Sequence, residues 1–325
     1  MSLYLDQVEK TAQLSKNNQL SLMIFQMQFA SELQQIPPYY GMNVFKVREV
    51  LEGRVYPVAP IPDSNRLIEG MIELRGQYLP VIDLPLWMGF SMTAQEREKS
   101  IIIVADFSHN FVGLRVAHIH GVEEKDWSQI HPAGNYTLNV NQNQIVNHTY
   151  LENSQTLCFI LDIEKLLIEA MPSVAQKIFA AAEQITPEQQ NFSPQLRSKT
   201  ILFAEDSRAI QNYMSMVFDK LGLSYKSFDN GRLLLDYLFA QEDLAPISII
   251  FTDLEMPVAS GHTVIREVRA NPKTRALPIV VHTSMTSENN TREVLAMGAN
   301  YFIGKVDTDL IVATLKQVEQ TFFHA

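Results

Sequence analysis

The sequence predicts two domains of different fold class: an all-β domain in the first half and an α/β domain with a doubly wound, five-stranded parallel sheet in the second. Short apolar runs separated by glycine and proline fill residues 20–170, a pattern typical of a β-sandwich or barrel. In residues 199–325, apolar runs alternate with helical patterns, which indicates a parallel sheet covered by helices on both faces. Between the two, residues 186–194 are polar and contain two prolines, as linkers often do. We therefore expect domains at residues 1–172 and 199–325, joined by a linker at residues 173–198.

The composition of the chain disfavours a nucleic-acid-binding, membrane-spanning or secreted protein. The chain has 325 residues and a formal net charge of −10, without the basic excess that binding to nucleic-acid phosphates requires. No apolar run approaches the roughly 20 residues needed to span a bilayer. The amino terminus lacks the basic and then apolar pattern of a secretory signal, and Cys158 is the single cysteine. We expect a cytoplasmic protein without direct membrane insertion.

The first half contains several predicted strands. Residues 22–29 place Met23, Phe25, Met27 and Phe29 on one face at period two. Residues 3–17 could form a short amphipathic helix. Further apolar runs predict strands at Ile101–Val104, Val112–Val116 and Leu157–Leu161.

A predicted hairpin lies at residues 68–84. Its two strands are joined by a tight turn around Arg75-Gly76-Gln77, where Gly76 can adopt a positive φ at little steric cost. From the residues alone, this is simply a hairpin.

The same stretch resembles the central motif of CheW-type chemotaxis coupling domains. The matching residues are Gly70, Leu74, Arg75, Gly76, Pro80, Val81, Ile82, Asp83 and Leu84. The resemblance implies two small five-stranded barrels that bind protein surfaces and join methyl-accepting chemoreceptors to a histidine kinase. Arg75 occupies the family's interface position, so we expect it to contact a partner together with its neighbours Leu74 and Gly76.

In the second half, polar side chains follow successive apolar runs. Glu205 and Asp206 follow the first strand, Asp253 the third, Thr283 the fourth and Lys305 the fifth. Because parallel strands end at the same edge of a sheet, these side chains should converge there. Each residue alone has an ordinary structural explanation, such as helix capping, but their arrival together at successive strand ends favours a site.

Three carboxylates in one crevice repel one another unless a cation is present. Mg²⁺, a hard ion with oxygen ligands, removes that cost. A hydroxyl and an ammonium group beside it suit a transferred phosphoryl group. The pattern therefore predicts a metal pocket with Asp253 as the nucleophile.

This set resembles the receiver domain of two-component response regulators over essentially all of residues 199–325. The resemblance implies that Asp253 accepts a phosphoryl group from a kinase phosphohistidine. It also implies that Asp206, Asp253 and the backbone carbonyl of Glu255 bind Mg²⁺, with Glu205 helping through water. The same resemblance has Thr283 hydrogen-bond the phosphoryl group, Phe302 turn inward and Lys305 pair with the phosphate.

The chain departs from that family at one position. Proline usually follows the lysine, often with a cis bond, whereas Val306 follows Lys305 here. A non-proline cis bond costs roughly 2.5–4 kcal/mol, so we expect a different loop conformation after Lys305.

A coupling domain followed by a receiver is the arrangement of CheV-type chemotaxis proteins. The resemblance implies a non-enzymatic adaptor at receptor arrays, modulated by phosphorylation of Asp253, which could also act as a phosphate sink. The alternatives are a passive adaptor with an inactive receiver and an aspartate-nucleophile phosphohydrolase. The phosphohydrolase chemistry requires a second aspartate two residues after the nucleophile, and this chain has Glu255 at that position. A transcriptional regulator is disfavoured by the acidic charge and by the absence of a helix-turn-helix pattern.

Overall fold

The computed structural model describes residues 19–29, 37–62, 64–107, 110–132, 145–284 and 288–323. The chain divides into two compact units, residues 1–171 and 172–325. The helix predicted at residues 3–17 lies outside the described residues. Of the helices that the structure describes, none combines the length and the apolarity that crossing a bilayer requires.

The first unit is built on two β-sheets, which confirms the all-β prediction. One has the strand order β8-β1-β2-β11-β10-β9 and the other the order β3-β6-β7-β5-β4. The first sheet has six strands among the described residues instead of the expected five, because the two-residue strand His131–Pro132 pairs with the strand beside it. The strands are β1 (Gln19–Gln26), β2 (Tyr39–Asn43), β3 (Val47–Glu52), β4 (Ile68–Leu74), β5 (Gln77–Asp83), β6 (Ile101–Phe107), β7 (Asn110–Val116), β8 (His118–Asp126), β9 (His131–Pro132), β10 (Ile145–Tyr150) and β11 (Leu157–Leu161). Short helices follow some of them: α1 (Leu84–Trp87), α2 (Ala94–Lys99) and α3 (Ile163–Ala170).

Strand β1 is buried on both faces. Leu20, Leu22 and Ile24 pack into one apolar cluster, whereas the ring of Phe25, which points to the opposite face, stacks against Tyr40. The prediction of a strand at residues 22–29 is therefore confirmed over residues 22–26. The strand begins earlier, ends at Gln26 and is covered on both sides.

The turn between β4 and β5 consists of Arg75 and Gly76, which confirms the predicted hairpin. Both residues have left-handed backbone conformations, with φ values of 52° and 79°. A two-residue turn with both central φ values positive matches the twist of the flanking strands. The turn consequently presents the Arg75 side chain at the tip of a hairpin.

The second unit contains a five-stranded parallel sheet, as predicted, and its strand order is β13-β12-β14-β15-β16. Its strands are β12 (Thr200–Ala204), β13 (Ser224–Phe228), β14 (Ile247–Thr252), β15 (Ile279–Thr283) and β16 (Tyr301–Gly304). Its helices are α4 (Pro172–Glu183), α5 (Pro194–Arg197), α6 (Arg208–Leu221), α7 (Gly231–Phe239), α8 (Gly261–Ala270), α9 (Glu288–Ala296) and α10 (Thr308–Phe322). Every residue of β14 is buried, as expected for a central parallel strand. This order reverses at β12 and β14, so the crevice at their carboxyl ends is the expected ligand position.

The sequence between the two predicted domains is folded onto the second unit. Helix α4 packs against α6 and α10. We call residues 173–198 the connecting segment. Among its described side chains, Ala182, Ile185, Phe192 and Leu196 are apolar and buried. Although residues 186–194 are polar in composition, the connecting segment therefore contributes to the apolar packing of this unit.

Candidate phosphoacceptor site

The three predicted carboxylates lie together at the carboxyl ends of β12 and β14. Glu205, Asp206 and Asp253 each offer an oxygen atom, and these atoms all lie within 4.8 Å of one another. Glu205 and Asp253 are buried, while Asp206 is partly exposed. The parallel topology brings these side chains together although about 50 residues of sequence separate them.

Lys305 bridges two of the carboxylates. Its Nζ donates to Oε1 of Glu205 at 2.8 Å and to Oδ2 of Asp253 at 2.9 Å. All three side chains are buried, so charge-assisted hydrogen bonds of this kind are weakly screened by solvent. The ammonium group thus partly neutralises a strongly acidic site.

The backbone holds Asp253 tightly. The amide of Leu254 donates to Oδ1 of Asp253 at 2.7 Å, and the amide of Gly261 donates to the carbonyl of Leu254. A Cβ atom at position 261 would lie 2.2 Å from the Asp253 carbonyl oxygen. Gly261 is therefore needed for the first turn of α8 to approach the loop that carries Asp253.

Burial dominates the electrostatics of Glu205. Desolvation raises the pKa of this carboxyl well above its usual value, and the charges of Asp253 and Asp206 raise it further, while Lys305 lowers it in part. Its second oxygen, Oε2, is buried and has no hydrogen-bond partner among the described residues. An unsatisfied buried carboxylate oxygen beside two further carboxylates is the donor set that a hard divalent cation needs. The residues therefore fit Mg²⁺.

The remaining predicted residues surround this cluster in different ways. Thr283 is buried at the end of β15, and its carbonyl accepts a hydrogen bond from the amide of Lys305 at 3.1 Å. Phe302 is partly buried and packs against the apolar cluster on one side of the sheet. Glu255 is partly buried two residues after Asp253. The proposed roles of these three residues stay predictions.

Two valines beside the site have left-handed backbone conformations. Val258 follows the Asp253 loop with φ 67°, and Val306 follows Lys305 with φ 57°. The described chain has no cis peptide bond. A β-branched residue with positive φ is strained, and such strain often occurs at functional sites. The loop after Lys305 thus differs from a proline-containing loop, in line with the departure seen in the sequence.

His282 is a buried residue next to Thr283 whose position sequence reasoning did not single out. Its two ring nitrogens have no hydrogen-bond partner among the described residues, and its ring lies edge-on to Phe203, with centroids 6.4 Å apart. Desolvation, assisted by the positive charge of Lys305, lowers its pKa well below the usual value. The imidazole is consequently neutral at physiological pH.

The second candidate site is the hairpin tip of the first unit. Arg75 is 79% exposed and pairs with Glu49 at 3.0 Å, and Gly76 is exposed beside it. Leu74, by contrast, is buried in an apolar cluster with Ile72. An exposed aromatic residue that sequence reasoning missed, Tyr78, lies on the following strand. Period-two alternation from the buried Leu79 would have placed Tyr78 outward.

Residues 28–171 match the family of CheW-like domains, and residues 201–316 match the family of response regulator receiver domains. Together with the acidic cluster, these matches define a signalling protein in which a coupling domain precedes a receiver domain. Chemotaxis protein CheV1 of Helicobacter pylori is 30% identical over 323 residues, covering 95% of this chain and 96% of the relative. Chemotaxis protein CheV2 of the same organism is 28% identical over 309 residues, covering 92% and 94%. This chain belongs to the CheV family of chemotaxis adaptors.

Proposed function

We propose that this chain is a phosphorylation-gated chemotaxis adaptor. Its first unit links methyl-accepting chemoreceptors to a histidine kinase, and its second unit accepts a phosphoryl group from that kinase at Asp253. The observation that carries the proposal is the buried cluster in which Lys305 contacts both Glu205 and Asp253 beside Asp206. Because such an adaptor works on the cytoplasmic tips of receptors, we place it in the cytoplasm at receptor arrays.

In the transfer step, a carboxylate oxygen of Asp253 attacks the phosphorus atom of the phosphohistidine. An O–P bond forms and the P–N bond breaks, and the imidazole nitrogen keeps the electron pair of the broken bond. Lys305 offsets the charge that accumulates on the transferred group, and the Thr283 hydroxyl donates to one of its oxygens. Asp206, Asp253 and the Glu255 carbonyl, with Glu205 helping through water, would hold Mg²⁺, and this ion would supply further charge compensation when bound.

Phosphorylation changes the charge of this pocket. An Asp253 carboxylate carries one negative charge, whereas a phosphoryl group carries about −1.5 to −2. A local change of this kind can shift a receiver between two conformations and so bias how the first unit couples receptor and kinase. On this proposal the chain acts as an adaptor and not as an enzyme.

Phosphotransfer tests the proposal directly. The full chain is incubated with Mg²⁺ and a radiolabelled, autophosphorylated chemotaxis histidine kinase, beside an Asp253→Asn variant. Label on the wild type and none on the variant is the expected result. A folded wild type that takes no label from a competent kinase would identify a passive adaptor. Catalytic release of phosphate from small phosphate esters would instead favour the phosphohydrolase.

A further inference from the structure

One tyrosine of the second unit contacts two elements at once. The hydroxyl of Tyr213, in α6, lies 2.8 Å from Oγ1 of Thr308, the first residue of α10, and both groups are buried. The ring of Tyr213 lies edge-on to Phe179 of the connecting segment, with centroids 6.1 Å apart. Tyr213 therefore joins the start of α10 to the connecting segment.

Thr308 is only three residues beyond Lys305. The short stretch between them contains the strained Val306 and then Asp307, whose side chain caps α10 by accepting from the amide of Leu310 at 2.9 Å. Because only two residues, one of them the helix cap, separate Lys305 from α10, a displacement of Lys305 should also move the first turn of α10. Lys305 in turn is held by Asp253, the residue whose charge phosphorylation changes.

Residues 188–193 of the connecting segment are hydrogen-bonded to residues spread along α10, from Asp309 to Glu319. Gln189 donates to Asp309 at 3.2 Å, near the start of the helix. Further along, Lys316 donates to the backbone carbonyl of Glu188 at 2.8 Å, and the amide of Ser193 donates to Glu319 at 2.6 Å. Because one helix supplies all three partners, a shift of α10 alters these contacts together.

From this geometry we infer that the connecting segment is the output element of the second unit: phosphorylation of Asp253 loosens it from α10 through Lys305, Thr308 and Tyr213. The inference rests on the proposed function. When the phosphoryl group arrives, Lys305 exchanges a carboxylate oxygen of Asp253 for phosphoryl oxygens, and the stretch up to Thr308 moves with it. The Tyr213–Thr308 hydrogen bond and the contacts along α10 then weaken.

Hydrogen exchange of the full chain, followed by mass spectrometry, tests this coupling. Exchange is measured in Mg²⁺ with and without beryllofluoride, a mimic of the phosphoryl group, on the wild type and on Asp253→Asn, Tyr213→Phe and Tyr225→Phe variants. Tyr225→Phe is the matched control, because the Tyr225 hydroxyl makes only a long, exposed contact with Asp219. Peptides from β14 report on whether each variant keeps its fold.

In the wild type, beryllofluoride is expected to protect residues 253–260 and to speed exchange of residues 176–198 at least threefold. Asp253→Asn shows neither change. Tyr213→Phe keeps the response at residues 253–260 but loses at least half of the response at residues 176–198, and Tyr225→Phe behaves like the wild type. A response at residues 253–260 with unchanged exchange at residues 176–198 overturns the inference and leaves the proposed function standing. No response at either place contradicts the proposed function, and the inference fails with it.

Discussion

The ammonium nitrogen of Lys305 and the Oδ2 atom of Asp253 lie 2.9 Å apart in a buried site, and Glu205 shares the same ammonium group. One positive charge therefore serves two buried carboxylates. Removal of the ammonium group leaves buried carboxylates whose charge neither solvent nor a partner compensates. Breaking a buried ion pair in this way strongly lowers the free energy of unfolding.

Replacement Lys305→Gln is expected to lower the free energy of unfolding of the second unit by roughly 3 kcal/mol when Mg²⁺ is absent. Mg²⁺ should restore part of this loss. Urea denaturation followed by circular dichroism measures it, while the fluorescence of Trp87 and Trp127 reports separately on the first unit. The exposed residue Lys220 supplies the control, Lys220→Gln, which should change little. Equal stability of Lys305→Gln and wild type without Mg²⁺ would contradict the claim that pairing of Lys305 with Glu205 and Asp253 stabilises the second unit.

Mg²⁺ should stabilise the protein more at pH 8 than at pH 5. The pKa of Glu205 is raised in the folded state, so above about pH 4.5 the folded protein binds more protons than the unfolded chain. The contribution of Glu205 to stability without metal therefore falls as pH rises, and a bound cation offsets this fall. Calorimetric melting temperatures with and without Mg²⁺ across this range test the prediction, and Glu205→Gln should flatten the dependence on pH. A Mg²⁺ effect that is the same at both pH values would refute it.

Replacement His282→Leu is expected to raise the free energy of unfolding by about 1–3 kcal/mol, since it removes two buried, unsatisfied nitrogens. The pKa of His282 is depressed in the folded state, so the unfolded chain binds more protons near and below pH 6.5. The contribution of His282 to stability should consequently decrease as pH falls from 7.5 to 5.5, so the free energy of unfolding of His282→Leu should exceed that of the wild type by more at pH 5.5 than at pH 7.5. Urea denaturation at several pH values measures both effects. Replacement of the exposed His118 by Leu is the control and should leave this pH dependence intact.

Replacement Val306→Gly is expected to stabilise the second unit by about 1 kcal/mol, because glycine adopts a positive φ without steric cost. Val306→Ala should give no such gain, since alanine keeps a Cβ atom in the same conformation. Urea denaturation of the two variants separates these outcomes. A gain in the alanine variant equal to that in the glycine variant would show that the strain is not in the backbone.

Replacement Arg75→Glu is expected to weaken binding to receptor or kinase while leaving phosphorylation of Asp253 unchanged. The new carboxylate would face Glu49 at the hairpin tip, where Arg75 now presents positive charge to solvent. Pull-down with receptor and kinase measures the effect. Arg54, which is similarly exposed and pairs with Glu52, offers the matched control Arg54→Glu. Binding by Arg75→Glu at the wild-type level would remove Arg75 from the interface.

The phosphoacceptor site could be predicted from the sequence because a local pattern, repeated along the chain, places residues that are distant in sequence at one edge of the sheet. Each apolar run carries its polar residue at its own carboxyl end, and parallel pairing brings those ends together. The contact between Tyr213 and Thr308 has no such regularity, since 95 residues separate two side chains that simply pack together. Nor did the polar composition of residues 186–194 reveal that Phe192 within this stretch, and Leu196 just after it, are buried.

The burial of Phe192 and Leu196 bears on how such two-domain chains can be recombined. A gene fusion that joined a foreign coupling domain at residue 199 would remove these side chains together with α4, and would expose the surfaces of α6 and α10 against which α4 packs. A junction close to residue 172 would carry them along. The smallest portion of this protein that can be exchanged as an intact module therefore begins with the connecting segment, well before the first strand of the parallel sheet.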